Sequence, residues 1–414
     1  MAEQVQYHLE RMLPELRDLE ERGVFSKVEI KSIVKSRTSF EYAIHRRITS
    51  KSDYLRYISY EINLEKLRKK RKHRLGLNQP ANKRNGAKGI TVSDYSIVQR
   101  IHSLYQKALK KFGGDVELWV EYLNWAQEIK STKALGKSFA RAIQLHPLKE
   151  VFWIMAAGWE FEENQNMVNA RSLFQRALRL LNSSKLVWHE YFKLECLYLH
   201  KLLLRRKILM GADDKKEAND VKEGDSDNED DDEDGTMIKL PSLPQESELR
   251  PLPLQSESAF TVAETLLSEG MTPAQTAFFD GAIPRAIYRN AIKEISKDLD
   301  FRLEFLSIYR KFEFPSVGQN EVYDSIERDF TTVQSKAALA QRYLWLDASN
   351  DPTSPLFPAA LKKCVDAFEA CFKDLPEIWQ AYHDFVQDVL SRSDEGNMSK
   401  FLERLLEGIN SRKP

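Results

Sequence analysis

Two runs of charge are the parts of this chain most able to do chemistry. Lys66 and Arg68-Lys69-Lys70-Arg71-Lys72-His73-Arg74 form a dense basic cluster, and the polar segment that follows, residues 78–89, adds Lys83, Arg84 and Lys88. Such a cluster neutralises phosphate and is also what nuclear import receptors read. A basic helix end complementing the helix dipole needs fewer than these seven bases. Lys66, Arg68, Lys69, Lys70, Arg71, Lys72 and Arg74 are therefore the candidate contacts to RNA or an import receptor. The opposite charge runs from Asp225 to Asp234, where Ser226 carries an acid three residues on and is a candidate phosphosite for an acidophilic kinase. The plainer reading of that tract is a self-repelling, solubilising linker. It could also compete with RNA for the basic body.

Catalytic patterns are missing. Gly86-Ala87-Lys88-Gly89 lacks the spacing of a phosphate-cradling loop, and His189-Glu190 has no second histidine where a zinc-protease motif needs one. The eight histidines do not cluster along the sequence. His102, His146 and His189 sit at similar repeat positions, which suits surface or packing roles. No serine stands in a glycine-flanked elbow. No enzyme, cofactor, metal site or small-molecule substrate is expected. Cys196, Cys364 and Cys371 make no metal-type pair and read as reduced core residues of an intracellular protein. No apolar run approaches the roughly 18–20 residues that span a bilayer, so no membrane partner is expected.

The elements that must carry these groups are helices. Apolar residues between Ser93 and Met210 fall at three- and four-residue spacing, as on amphipathic helices. Trp119, Trp153 and Trp188 recur at steps of 34 and 35 residues, and so do Ala108, Ala142 and Ala177. That period means stacked helix pairs. The first helix of each pair carries the tryptophan; Tyr54 stands in its place in Tyr54-x-x-Tyr57-Ile58-x-x-Glu61. The second helix carries Ala170-Arg171-x-x-Phe174-x-Arg176-Ala177-Leu178 and its relatives. The small alanine admits the partner helix and the aromatic fills the space beside it, so these seven residues form the repeat core. The recurring bases Lys107, Arg141 and Arg176 and the acids Glu61, Glu160 and Glu195 suggest ion pairs within or between repeats. Asp115 and Ser184 are expected N-caps.

The fold class is all-α: a solenoid of antiparallel helix pairs interrupted by a disordered acidic insertion. Residues 1–92 form an N-terminal helical region with the first repeats and the basic loop, and residues 93–210 a repeat array. Residues 211–258 read as a linker, acidic and then proline-rich, and residues 259–414 as a second, divergent array whose like packing chemistry lets it stack on the first. Zero formal net charge hides an asymmetry: residues 211–235 hold thirteen acids against three lysines, leaving 59 bases and 49 acids elsewhere.

The tryptophan followed by an aromatic or alanine at +3 and glutamate at +7, then Ala-Arg-x-x-Phe-x-Arg-Ala-Leu, resembles the half-a-tetratricopeptide (HAT) repeat of RNA-processing assemblies. The succession Leu19-Glu20-Glu21-Arg22-Gly23-Val24-Phe25, Glu29-Ile30, Arg37-x-x-Phe40-Glu41-Tyr42 and Asp53-Tyr54-Leu55-x-Tyr57-Ile58-x-Tyr60-Glu61, then the basic run, resembles the N-terminal region of the U-three small nucleolar RNA-associated protein six family. The length suits a nearly complete member. The resemblance implies a nucleolar, non-catalytic scaffold in the UTP-B subcomplex of the small-subunit processome. Its implied partners are WD-repeat propeller subunits, with the U-three snoRNP and pre-rRNA in the assembled particle, and its implied role is processing toward eighteen-S rRNA. The alternatives are a HAT scaffold of a splicing or mRNA 3′-end processing complex, or a direct RNA-binding protein.

Overall fold

The computed structural model describes residues 2–76, 92–220, 273–312, 317–346, 356–374, 376–392 and 397–411. Every regular element among them is helical, as the repeat predicts. The chain divides into two compact units, Met1–Phe152 and Trp153–Pro414. The division falls inside α7, Glu150–Glu162. The first unit holds α1 Ala2–Glu21, α2 Lys27–Ile44, α3 Lys51–Arg74, α4 Val92–Lys111, α5 Val116–Glu128 and α6 Thr132–Leu145. The second holds α8 Met167–Leu180, α9 Lys185–Asp220, α10 Pro273–Phe279, α11 Ala282–Glu294, α12 Leu299–Tyr309, α13 Val317–Asp329, α14 Val333–Ala340, α15 Arg342–Leu346, α16 Phe357–Asp374, α17 Trp379–Arg392 and α18 Asn397–Ser411. No helix among the described residues is long and apolar enough to cross a membrane.

Short polar residues set where the helices begin. Ser26 and Glu29 close a capping box at α2, and Ser50 and Asp53 close one at α3. Asp115 accepts the Leu118 amide at 3.2 Å and Ser184 that of Val187 at 3.3 Å, so both expected caps are in place. Gly23, at φ +67°, turns the chain out of α1, a conformation that carries a steric cost for any residue with a Cβ.

The repeat packs by one rule in both units. An aromatic on the second helix of a pair meets an aromatic 17 residues later on the next helix. Phe40 stacks on Tyr57 at 5.1 Å, Tyr105 lies against Tyr122 at 5.0 Å, Phe174 stacks on Tyr191 at 5.2 Å, and Tyr288 meets Phe305 edge-on at 5.2 Å. Ala108, Ala142, Ala177 and Ala291 are each wholly buried, and Ala108, Ala177 and Ala291 lie three residues after Tyr105, Phe174 and Tyr288. Trp119, Trp153, Trp188 and Tyr54 are buried too. The indoles do more than fill space: Trp119 Nε1 donates to the Gly113 carbonyl at 3.0 Å and Trp188 Nε1 to that of Asn182 at 2.9 Å. Each pins the loop six residues before it, which satisfies a buried donor and fixes the entry of its helix.

Within the second unit the helices on either side of residues 221–272 pack together. α9 touches both α11 and α12. Phe192 stands edge-on to Phe305 and to Tyr309, each at 4.8 Å, and His189 Nε2 lies 3.0 Å from the Phe301 carbonyl. α9 itself runs on to Asp220, well past the point where its apolar pattern stops. Ala212, Lys215, Lys216, Glu217 and Ala218 are good helix formers, which favours the helix there. Ser226, the rest of the acidic tract and the proline-rich stretch lie outside the described residues.

Candidate nucleic-acid interface

The N-terminal unit sorts its bases into two sets. The inner set is built on acids that the sequence pattern hides. Arg37, wholly buried on α2, donates through Nε and Nη2 to the two Glu61 oxygens at 2.7 and 2.8 Å, and through Nη2 to Glu15 at 3.0 Å. Arg100 reaches Glu15 at 2.6 Å. Burial opposes the Arg37 charge, and Glu61 and Glu15 overcome it, so the guanidinium holds its proton more firmly than usual. Burial likewise opposes the Glu15 charge, yet Arg37 and Arg100 hold that carboxyl below its ordinary range.

The same device returns in the second unit. Arg171 donates to both Glu195 oxygens at 2.7 and 2.8 Å, and the spacing, 24 residues, equals that of Arg37 and Glu61. The expected ion pair exists, but its base is not the expected one. Arg141 and Arg176 point to solvent and Lys107 is half-buried. Arg171 lies three residues before the buried Phe174 and shares its face, whereas Arg176 lies five residues on from Arg171, about 140° round the helix. Where one partner is missing the pair is absent: Gly136 stands 24 residues before Glu160, which accepts instead from Asn169 at 3.4 Å.

The second set is the basic end of α3, and the structure splits it. Arg68 is only 4% exposed: Nε and Nη2 bind Glu65 at 2.7 and 2.8 Å, and Nη1 binds Asp94 at 2.7 Å. Lys72 also reaches Asp94, at 2.6 Å. Arg71 grips both Glu29 oxygens at 2.9 and 2.7 Å, donates to the Val24 carbonyl at 3.1 Å and covers the Phe25 ring at 4.8 Å. Arg68, Arg71 and Lys72, read from sequence as phosphate contacts, therefore hold α3 to the loop after α1 and to the start of α4. A linear run of bases on a helix cannot all face outward, because each residue turns the next by about 100°. Lys66, Lys69, Lys70, His73 and Arg74 do face solvent. Lys69 keeps only a loose contact with Glu65 at 3.8 Å.

An open cleft runs beside this edge, lined by Arg68, Lys69, Lys70, Lys72, His73, Asp94 and Tyr95. Tyr95 is 54% exposed. An exposed ring near the solvent-facing Lys69, Lys70 and His73 offers a stacking face next to phosphate-neutralising charge, the pairing that single-stranded RNA uses. Sequence reasoning missed Tyr95 because it lies 21 residues beyond Arg74. Lys83, Arg84 and Lys88 fall outside the described residues.

Histidines that are scattered in sequence are partly gathered by the fold. His146 Nε2 lies 2.8 Å from the Gly113 carbonyl and His102 Nδ1 3.2 Å from the Tyr122 hydroxyl, both packing roles. His8 and His45, however, stack at 5.8 Å beside Glu41. Spacing along the chain gave no sign of that grouping. Cys196 and Cys364 are buried, Cys371 is half-buried, and none of the three is in a disulfide; burial pushes the Cys196 thiol well up.

Helix pairs with a 34- to 35-residue period, a recurring ring contact and an Arg–Glu tie define a helical-repeat protein of the HAT class. A family model described as Suppressor of forked protein matches residues 87–217, the repeat array. A second family model, U3 small nucleolar RNA-associated protein 6, matches residues 9–100. The U3 small nucleolar RNA-associated protein 6 of Schizosaccharomyces pombe is 42% identical over 219 residues, 53% of this chain and 43% of that protein. The homologues of that name from mouse and human are each 28% identical, over 95% and 98% of this chain and 57% and 60% of theirs. The chain is thus similar to the U3 small nucleolar RNA-associated protein 6 family over residues 9–100 and to proteins of that name more widely. It spans about half the length of the relatives it matches, rather than the nearly full length that its size suggested.

Proposed function

We propose that this chain is a non-catalytic scaffold in a U3 small nucleolar ribonucleoprotein assembly of the nucleolus. The observation that carries the reading is the family match over residues 9–100. Those same residues build the Arg37 ion network and present the solvent-facing bases of α3. Helix pairs whose signature residues are all spent on packing leave binding to the variable positions on their outer faces, which suits a scaffold rather than an enzyme. In the finer form of the proposal the chain is a subunit of the UTP-B subcomplex. Its faces hold WD-repeat propeller subunits, its basic edge touches pre-rRNA, and the assembly supports processing to eighteen-S rRNA.

A second reading, a HAT scaffold of a splicing or mRNA 3′-end processing complex, draws on the Suppressor of forked match over residues 87–217. That match covers the common repeat core rather than the N-terminal block. Purification of the tagged chain from cells separates the two. Co-recovery of U3 snoRNA, pre-rRNA and propeller proteins is expected. Recovery of splicing or cleavage factors without U3 snoRNA would overturn the proposal.

A further inference from the structure

The grouping of His8, Glu41 and His45 is not used by the basic edge, and Glu41 meets the repeat packing through the Tyr57 hydroxyl. Their ligand atoms all lie within 4.8 Å of one another, although His8 comes from α1 and the other two from the end of α2. Glu41 and His45 are four residues apart, so α2 places both on one face at its last turn. Glu41 is 3% exposed. Its Oε1 accepts from the Tyr57 hydroxyl at 3.0 Å. Its Oε2 is buried, has no hydrogen-bond partner, and faces His45 Nε2 at 3.6 Å, too far for a hydrogen bond. That nitrogen is equally buried and equally unpartnered. Two buried atoms without a hydrogen bond thus face each other, with a His8 ring nitrogen within 4.8 Å of both.

We propose that His8, Glu41 and His45 form a zinc site that ties α1 to the C-terminal end of α2, with the fourth coordination position open to water. Tetrahedral zinc holds nitrogen and oxygen ligands at about 2.0–2.2 Å, so neighbouring ligand atoms sit about 3.3 Å apart. The Glu41–His45 separation of 3.6 Å is already close to that edge. His8 is half-buried, and its ligand nitrogen stands within 4.8 Å of the other two ligand atoms. The Tyr57 hydroxyl supplies the outer hydrogen bond that orients a metal-binding carboxylate. Zinc needs neutral imidazoles. Glu41 is the carboxylate that offsets zinc charge here, while Lys107 and Arg11 add positive charge near His8.

The full chain, stripped with a chelator and titrated with zinc alone, tests the site. Zinc at a hundredfold excess over Kd is expected to raise the melting temperature of the N-terminal unit by about 5 °C. Cobalt in its place is expected to give the intense visible absorption of tetrahedral coordination. His8→Gln and His45→Gln, the second with most of its side chain covered, are each expected to abolish both signals, while His73→Gln, on the exposed end of α3, keeps them. His8→Gln is the decisive variant, because a half-exposed position tolerates the change whether or not metal binds. No thermal shift with zinc, or a shift that survives in both His8→Gln and His45→Gln, would overturn the site.

Discussion

Single residues decide how much charge this fold can bury. Arg37 is the extreme case, a wholly enclosed guanidinium shared between Glu61 and Glu15. Removing one partner of a buried pair strands the other charge, so Arg37→Ala is expected to cost about 3–5 kcal/mol by denaturant unfolding. Arg171 makes the same bidentate contact but keeps 28% of its side chain exposed, so water can replace it. Arg171→Ala is expected to cost less, about 1–3 kcal/mol, as the loss of charged hydrogen bonds. Equal losses at the two sites would show that enclosure does not set the difference. Glu29 offers a pH test. The Arg71 guanidinium and the Ser26 amide lower its pKa from 4.5 to about 2. A depressed carboxyl stabilises the fold fully above pH 4.5, and that contribution drains away as pH falls toward 2. Glu29→Gln should flatten the dependence of melting temperature on pH across that window. Screening at this partly exposed site keeps the effect small. An unchanged slope would separate Glu29 from acid stability.

At the scale of elements, the telling contact is α9 with α12. Phe192, Phe305 and Tyr309 are all buried there, in edge-on geometry. Phe305→Ala is expected to cost about 3–5 kcal/mol as a large-to-small core change. It should also open α11 and α12 to amide exchange before α8 does. Exchange that rises only locally at residue 305 would mean that α9 and α12 do not lean on each other. Close approach is also needed between α12 and α13. A Cβ added at Gly318 would stand 2.5 Å from the Tyr309 hydroxyl, so Gly318 admits a ring that alanine would push aside.

For the whole molecule, the N-terminal unit presents a basic edge, and RNA binding should follow its exposed set. Neutralising Lys66, Lys69, Lys70 and Arg74 together is expected to reduce the salt slope of single-stranded RNA binding by up to about 0.7 for each phosphate that is no longer neutralised. Tyr95→Ala should weaken binding with no change in slope, because a stacked ring releases no counterions. Changing Arg68 should instead destabilise the unit, through stranded Glu65 and Asp94. If Arg68 proved the dominant RNA contact with stability intact, the division into inner and outer bases would be wrong.

The order of helices, the repeat period, the core aromatics and alanines, the caps at Asp115 and Ser184 and the family resemblance were all legible in the sequence. Each depends on residues a few places apart or on a fixed spacing, and helix geometry converts such spacing directly into position. Which arginine ties each repeat was only half legible. Arg171 stood in the motif, yet its partner choice depends on which side of the helix meets the next one. The split of the basic run, the place of Tyr95 beside it and the meeting of His8, Glu41 and His45 were decided by tertiary structure alone. Their deciding contacts join groups 21 to 47 residues apart on different elements, and no local rule of periodicity carries a side chain's direction over that distance.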